Sequence, residues 1–175
     1  TKDPESYAKF WDAFGAVLKE GIHEDFTNRD KILEVSRFKS SESENLISLE
    51  DYISRMKDGQ DKIYYVSGED ENKLSQSPHL EGFKAKGIEV IYMTDPVDEF
   101  WLPSVGKYAE KDFQSVTKGG ADLDKIKSDK KEDPKKKKEN KKIDKLLASI
   151  KVTLGDEVKE VKISERLTDS AVCLV

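Results

Sequence analysis

The sequence predicts an α/β fold. A helical coil leads into a small α/β/α sandwich with a parallel sheet core, followed by a charged linker and the first helix and strand of a truncated α+β domain. Three observations predict it. Apolar residues recur at three- and four-residue spacing near the start, two short β-branched runs bracket a helical stretch in the middle, and large apolar residues nearly vanish between Gly119 and Asn140. The expected divisions are a coil over 1–45, the α/β/α unit over 46–120, a flexible linker over 121–140 and the start of a further domain over 141–175.

The first helix opens at Asp3-Pro4, a cap followed by a proline that needs no amide partner. Tyr7, Phe10, Trp11, Phe14, Val17 and Leu18 form a broad aromatic stripe that is expected in the core, and Gly21 is expected to stop the helix. A second helix is expected from Thr27, with Asp30 as the acidic partner of a capping box. Lys39 to Asn45 is polar and reads as a loop. Ser48 caps a third helix with Leu49, Tyr52, Ile53 and Met56 on one side.

The period then changes. Ile63-Tyr64-Tyr65-Val66 reads as a strand and Ile88 to Met93 as another, with a helical stretch between them broken at Ser77-Pro78 and stopped at Gly87. Strand, helix, strand implies a right-handed crossover between parallel neighbours. Asp95-Pro96 repeats the cap-and-proline device for a helix through Val97, Phe100 and Trp101, expected to stop at Pro103. Residues 113–116 are expected to add an edge strand. After the linker, Ile143, Leu146, Leu147 and Ile150 keep helical spacing, and Val158, Val161 and Ile163 suggest a strand.

Composition bounds the function. Of 175 residues, 35% are hydrophobic and 38% charged, well above the roughly 25% charge of ordinary globular chains. Much of the sequence must therefore be solvated face or linker. No apolar run approaches the length of a membrane span, and no signal-peptide pattern opens the chain, so a soluble protein without membrane partners is expected. Cys173 is the lone cysteine, which excludes an internal disulfide and a cysteine-built zinc site and fits a reducing cytoplasm. Between Val172 and Leu174 it reads as a small buried hydrophobe.

The net charge of −5 hides an asymmetry, because Asp124 to Lys145 holds eleven lysines and six acids. Lys135 to Lys138 could attract phosphate backbones, but Glu132, Asp133 and Glu139 interrupt the basic tract and no aromatic residues lie nearby for stacking. A solvated linker is the better reading, and nucleic acid is not the expected partner.

Catalytic patterns are missing. There is no phosphate loop and no nucleophile elbow. His23 and His79 lie far apart beside loop residues and read as surface or capping histidines. The acid pairs Glu24-Asp25, Asp70-Glu71 and Asp98-Glu99 read as first-turn acids complementing helix dipoles. No catalytic residue, cofactor or metal is assigned within these residues. One feature invites binding: Phe100 and Trp101 lie about 100° apart on a helix and cannot both fill one narrow core stripe. At least one is expected to stay partly exposed beside Asp98 and Glu99, although a sheet contact and a loop contact could bury both.

Several stretches together resemble the bacterial 90-kilodalton heat-shock chaperone family. They are Phe14 to Gly21 with Glu24-Asp25-Phe26, Ser48 to Gln60, Lys62 to Tyr65, Ser77-Pro78-His79-Leu80, Gly87 to Val90 leading to Asp95 through Glu99, Phe113 to Lys118, and Arg166-Leu167-Thr168-Asp169. They keep the family's order over nearly the whole chain. The resemblance implies the C-terminal part of the family's middle domain joined to the beginning of its dimerisation domain. It implies an ATPase parent using ATP and Mg whose nucleotide site, together with the arginine that reaches the γ-phosphate, lies outside the matched part. This piece is then expected to be no enzyme but a segment that binds clients and couples ATP-driven movement to their handling, the alternative being a purely structural spacer between the ATPase and dimerisation domains. Partly folded client proteins, possible co-chaperones and a homodimeric parent are the implied partners, with the piece itself monomeric. Residues matching the client-facing pair are Glu99 and Phe100, and Trp101 extends it. The sequence carries Phe where Trp is common, so which ring is exposed stays open. The lysine-rich linker departs from the family pattern.

Overall fold

The computed structural model describes residues 3–118, 123, 126, 140–164 and 166–174. A six-stranded sheet in the order β2-β1-β4-β3-β6-β5 organises them. Its centre is parallel: β3 (Lys62–Ser67) pairs with β4 (Ile91–Met93) and with β6 (Lys111–Ser115) in that sense. The predicted crossover is therefore present. Its helical leg is α4 (Glu71–Ser75), a 3-10 turn at Pro78–Leu80, and α5 (Glu81–Lys86), with Gly87 closing α5 at φ 64°.

Both outer edges are antiparallel. The predicted loop at 39–45 is instead a hairpin of β1 (Phe38–Ser40) and β2 (Ser43–Ile47), and β1 also pairs with β4. The division expected at 45/46 falls inside β2. The strand expected at the edge near Phe113 lies one place in, because β5 (Lys107–Tyr108) pairs outside it.

Alternation along the strands feeds a core on each face. Ile63, Ile91 and Met93 face α1 (Pro4–Glu24), α2 (Arg29–Val35), α3 (Leu49–Ser54) and α6 (Asp98–Val105), where Ile22, Leu33, Leu49, Tyr52, Trp101 and Leu102 complete one cluster. Tyr64, Val66 and Tyr92 pack with Leu80, Phe83, Ile88 and Val90 on the other face. Leu123 and Ile126 belong to this second cluster, so the segment expected to be linker is still fastened to the body there. Lys135 to Lys138 lie outside the described residues.

Local chemistry explains most boundaries. Asp3 accepts from the Ser6 amide, and Ser48 with Asp51 forms a full capping box. Other expectations fail instructively. Gly21 does not stop α1. A Cβ there would lie 2.9 Å from Ile32 Cδ1, so this glycine permits α1 and α2 to approach. Glu24 ends the helix rather than beginning one, and Asp25 accepts from the Thr27 and Asn28 amides at 3.1 Å, which delays α2 to Arg29. Asp95 caps no helix: α6 begins at Asp98 and continues through Pro103 to Val105. The apolar stripe of α1 is split, with Trp11, Gly15, Lys19 and Ile22 buried while Phe10, Phe14 and Val17 are exposed. Downstream, α7 spans Asn140–Leu154 as expected, but the strand expected at 158–163 is not formed.

Candidate protein-binding surface

Where α6 crosses α1, a buried cluster of charge sets the orientation of both helices. Asp98 is fully buried, as befits a carboxylate only if it is compensated. Lys19, 2% exposed, supplies the compensation, with its ammonium 3.0 Å from Asp98 Oδ1 and 2.7 Å from Asp95 Oδ2. The Trp101 indole N–H donates to Asp98 Oδ1 at 2.8 Å, one helical turn away. Burial pushes the Asp98 carboxyl up from the ordinary aspartate range, against the opposing pull of Lys19 and of the indole. Lys19 also sits over the Phe38 ring at 4.6 Å, which ties the cluster to β1.

This arrangement separates the two rings that the sequence left ambiguous. Trp101 is 0% exposed and packs edge-on against Phe113 with centroids 5.6 Å apart. Its expected role as a contact residue is corrected: it is a core side chain, because its indole N–H has a buried acceptor within reach. Phe100, 100° round the helix, is 67% exposed, and Glu99 beside it is exposed as well. Phe100 borders an open groove of about 330 Å³ with Glu20, His23 and Glu24 from the end of α1 and Pro96 and Val97 from the turn before α6. That is near the lower end of ligand-pocket volumes, enough for a side chain or two.

Nothing in the groove suggests bond-making chemistry. His23 lies there between Glu20 and Glu24, but no cluster of three side chains arranged to hold a metal occurs among the described residues. His79, the other histidine, sits elsewhere, with Cys173 Sγ 3.4 Å from its Nδ1. Cys173 is only half-buried and its neighbours Val172 and Leu174 are exposed, so it is not the core hydrophobe expected.

A second junction, invisible in the sequence, joins α5 to the strap formed by residues 166–173. Glu81 accepts from the backbone amides of Thr168 at 2.6 Å, Asp169 at 2.9 Å and Ser170 at 3.0 Å, and from the Ser170 hydroxyl. These donors hold its carboxyl at about 2, well below the usual glutamate range, with the Ser170 hydroxyl contributing most. Gly82 allows the contact, since a Cβ there would lie 2.9 Å from the Arg166 carbonyl oxygen. Sequence reasoning thus missed Lys19, Glu20 and Glu81, and read Glu24 and Asp98 only as first-turn acids. Only Asp98, three residues before Trp101, carried a local signal.

Comparison with known proteins agrees with this architecture. The Hsp90 protein family matches residues 1–175. The chaperone protein HtpG of Roseobacter denitrificans is 52% identical over 175 residues, covering 99% of this chain and 28% of the relative. HtpG of Paramagnetospirillum magneticum is 53% identical over 171 residues, covering 97% of this chain and 27% of the relative. The middle domain of a Plasmodium falciparum heat shock protein superposes with a TM-score of 0.59 at 38% identity, covering 63% of this chain and 47% of that one. The chain spans a little over a quarter of the length of these HtpG relatives. With its sheet, its helical layers and its whole length matched, this chain belongs to the Hsp90 family of chaperones.

Proposed function

We propose that this chain contacts partly folded client proteins within an ATP-dependent chaperone and passes nucleotide-driven movement toward the segment that follows it. ATP and Mg would be bound, and ATP hydrolysed, by other parts of a cytoplasmic homodimer. The observation that carries the reading is Phe100: a large aromatic ring, two-thirds exposed, on a helix locked from beneath by Lys19, Asp98 and Trp101. An exposed aromatic on a rigid element loses little freedom when a partner covers it. Glu99 and Phe100 are the proposed contacts, with Trp101 holding their helix in place.

The test is binding of a fluorescently labelled unfolded client. Phe100→Ala is expected to weaken it about tenfold, the scale of an interface aromatic. The circular dichroism spectrum should stay unchanged, and stability should move by no more than about 0.5 kcal/mol, as for other surface positions. Equal client affinity in variant and wild type would refute the proposal. The Glu81 clamp favours the coupling half of the reading, because it ties the α/β/α unit to the strap.

A further inference from the structure

The electrostatics around the groove name its ligand more closely. Glu20 and Glu24 line it at the C-terminal end of α1, where the helix dipole already concentrates negative charge. Carboxylates there weaken their own helix, and a local conflict of this kind points to function. Among the described residues neither side chain has an ion pair or a hydrogen-bond donor, and exposed Glu99, next to Phe100, has none either. His23 is the one basic side chain lining the groove, and two stronger cations nearby are held elsewhere. Lys19 is buried against Asp95 and Asp98, and Arg29 donates to the Ile22 carbonyl while lying over the Phe26 ring. Glu20 and Glu24, with His23 between them in the chain, therefore border an apolar floor made by Val97, Pro96 and the Phe100 ring, and Glu99 stands next to Phe100 on α6.

We infer that the groove selects unfolded segments in which an aliphatic or aromatic side chain is flanked by lysine or arginine. The apolar side chain would lie against Phe100 and Val97 while the flanking cations reach Glu20 and Glu24. This rests on the client-binding reading and deepens it to a ligand class. Each pairing is solvent-exposed and weak, but several acting together bias the choice of segment.

Three labelled peptides with one leucine-phenylalanine centre and flanks of Lys, Gln or Glu test the idea by fluorescence anisotropy against the 175-residue chain. At low salt the Lys-flanked peptide is expected to bind about three- to tenfold tighter than the Gln-flanked one, and the Glu-flanked peptide weakest. The difference should shrink at 0.3 M salt, where screening is stronger. In Glu20→Gln/Glu24→Gln the Lys and Gln peptides should bind alike, whereas Phe100→Ala should weaken both. Equal binding of the Lys and Gln peptides to wild type would overturn the inference while leaving client capture by Phe100 intact. A Lys preference that survives in Glu20→Gln/Glu24→Gln would do the same, by assigning it to the chain's overall negative charge. If all three peptides bind Phe100→Ala as tightly as wild type, the client reading and this inference fall together.

Discussion

The two junctions of the chain are built from the same ingredient, a carboxylate, in opposite surroundings. At the α1–α6 crossing, Asp98 is sealed from solvent and compensated by an equally buried ammonium. At the α5–strap contact, Glu81 stays near solvent and gathers backbone amides. A sealed ion pair leaves a stranded charge if either partner is lost, so it holds one geometry or fails outright. A carboxylate near water can release its donors to solvent and take them back. The first junction is suited to keeping Phe100 in one place; the second is suited to opening.

Breaking the sealed junction should have the largest effect. Lys19→Met leaves Asp98 buried without its cation and is expected to cost about 3–5 kcal/mol, seen as a drop in the urea midpoint. Adding Asp98→Asn should recover much of that loss by removing the stranded charge. A cost below about 1 kcal/mol for Lys19→Met would show that this crossing is no more rigid than the other junction.

The open junction should give way locally. Glu81→Gln and Gly82→Val act by different routes, one removing the acceptor and the other crowding the Arg166 carbonyl. Both should speed amide hydrogen exchange at 168–170 at least tenfold, while exchange in β3 and β4 stays as it was. If β3 and β4 lose protection as well, the strap is an integral part of the core and the contrast dissolves.

Acid offers the gentlest comparison, because the two carboxyls respond with opposite signs. Glu81 is depressed from about 4.5 to about 2 by the strap, so its contribution is complete above about pH 4.5 and drains away as the pH falls toward 2. Asp98 is raised by burial, so its ionised form weighs against the folded state above the ordinary aspartate range, and protonation relieves that burden. Trp101 fluorescence is therefore expected to change first on acidification, as Asp98 takes up its proton, and the amide resonances of residues 168–170 only later, as the pH falls toward 2. Simultaneous change in both would mean that one cooperative transition governs the two junctions.

The sequence disclosed periods more faithfully than faces. Both parallel strands and the crossover were legible because Ile63 to Val66 and Ile88 to Met93 are dense in β-branched and aromatic residues. The β1–β2 hairpin was not, since its turn at Ser41-Glu42 lacks the usual glycine or asparagine and its order comes from pairing with β4. On α1 the helical spacing was right but the buried side was misjudged. A lysine is an unlikely core residue until its acidic partner, 79 positions later in the chain, is brought beside it. Phe100 and Trp101 were separable only once the indole had an acceptor. The strap gave no local sign at all, because a carboxylate gripping backbone amides leaves no pattern in side chains.

Glu81 holds the main chain of Thr168, Asp169 and Ser170, and only the Ser170 hydroxyl adds a side-chain donor. The fastening is accordingly indifferent to most of the alphabet at 168 and 169, and proline alone, having no amide hydrogen to offer, would unpick it.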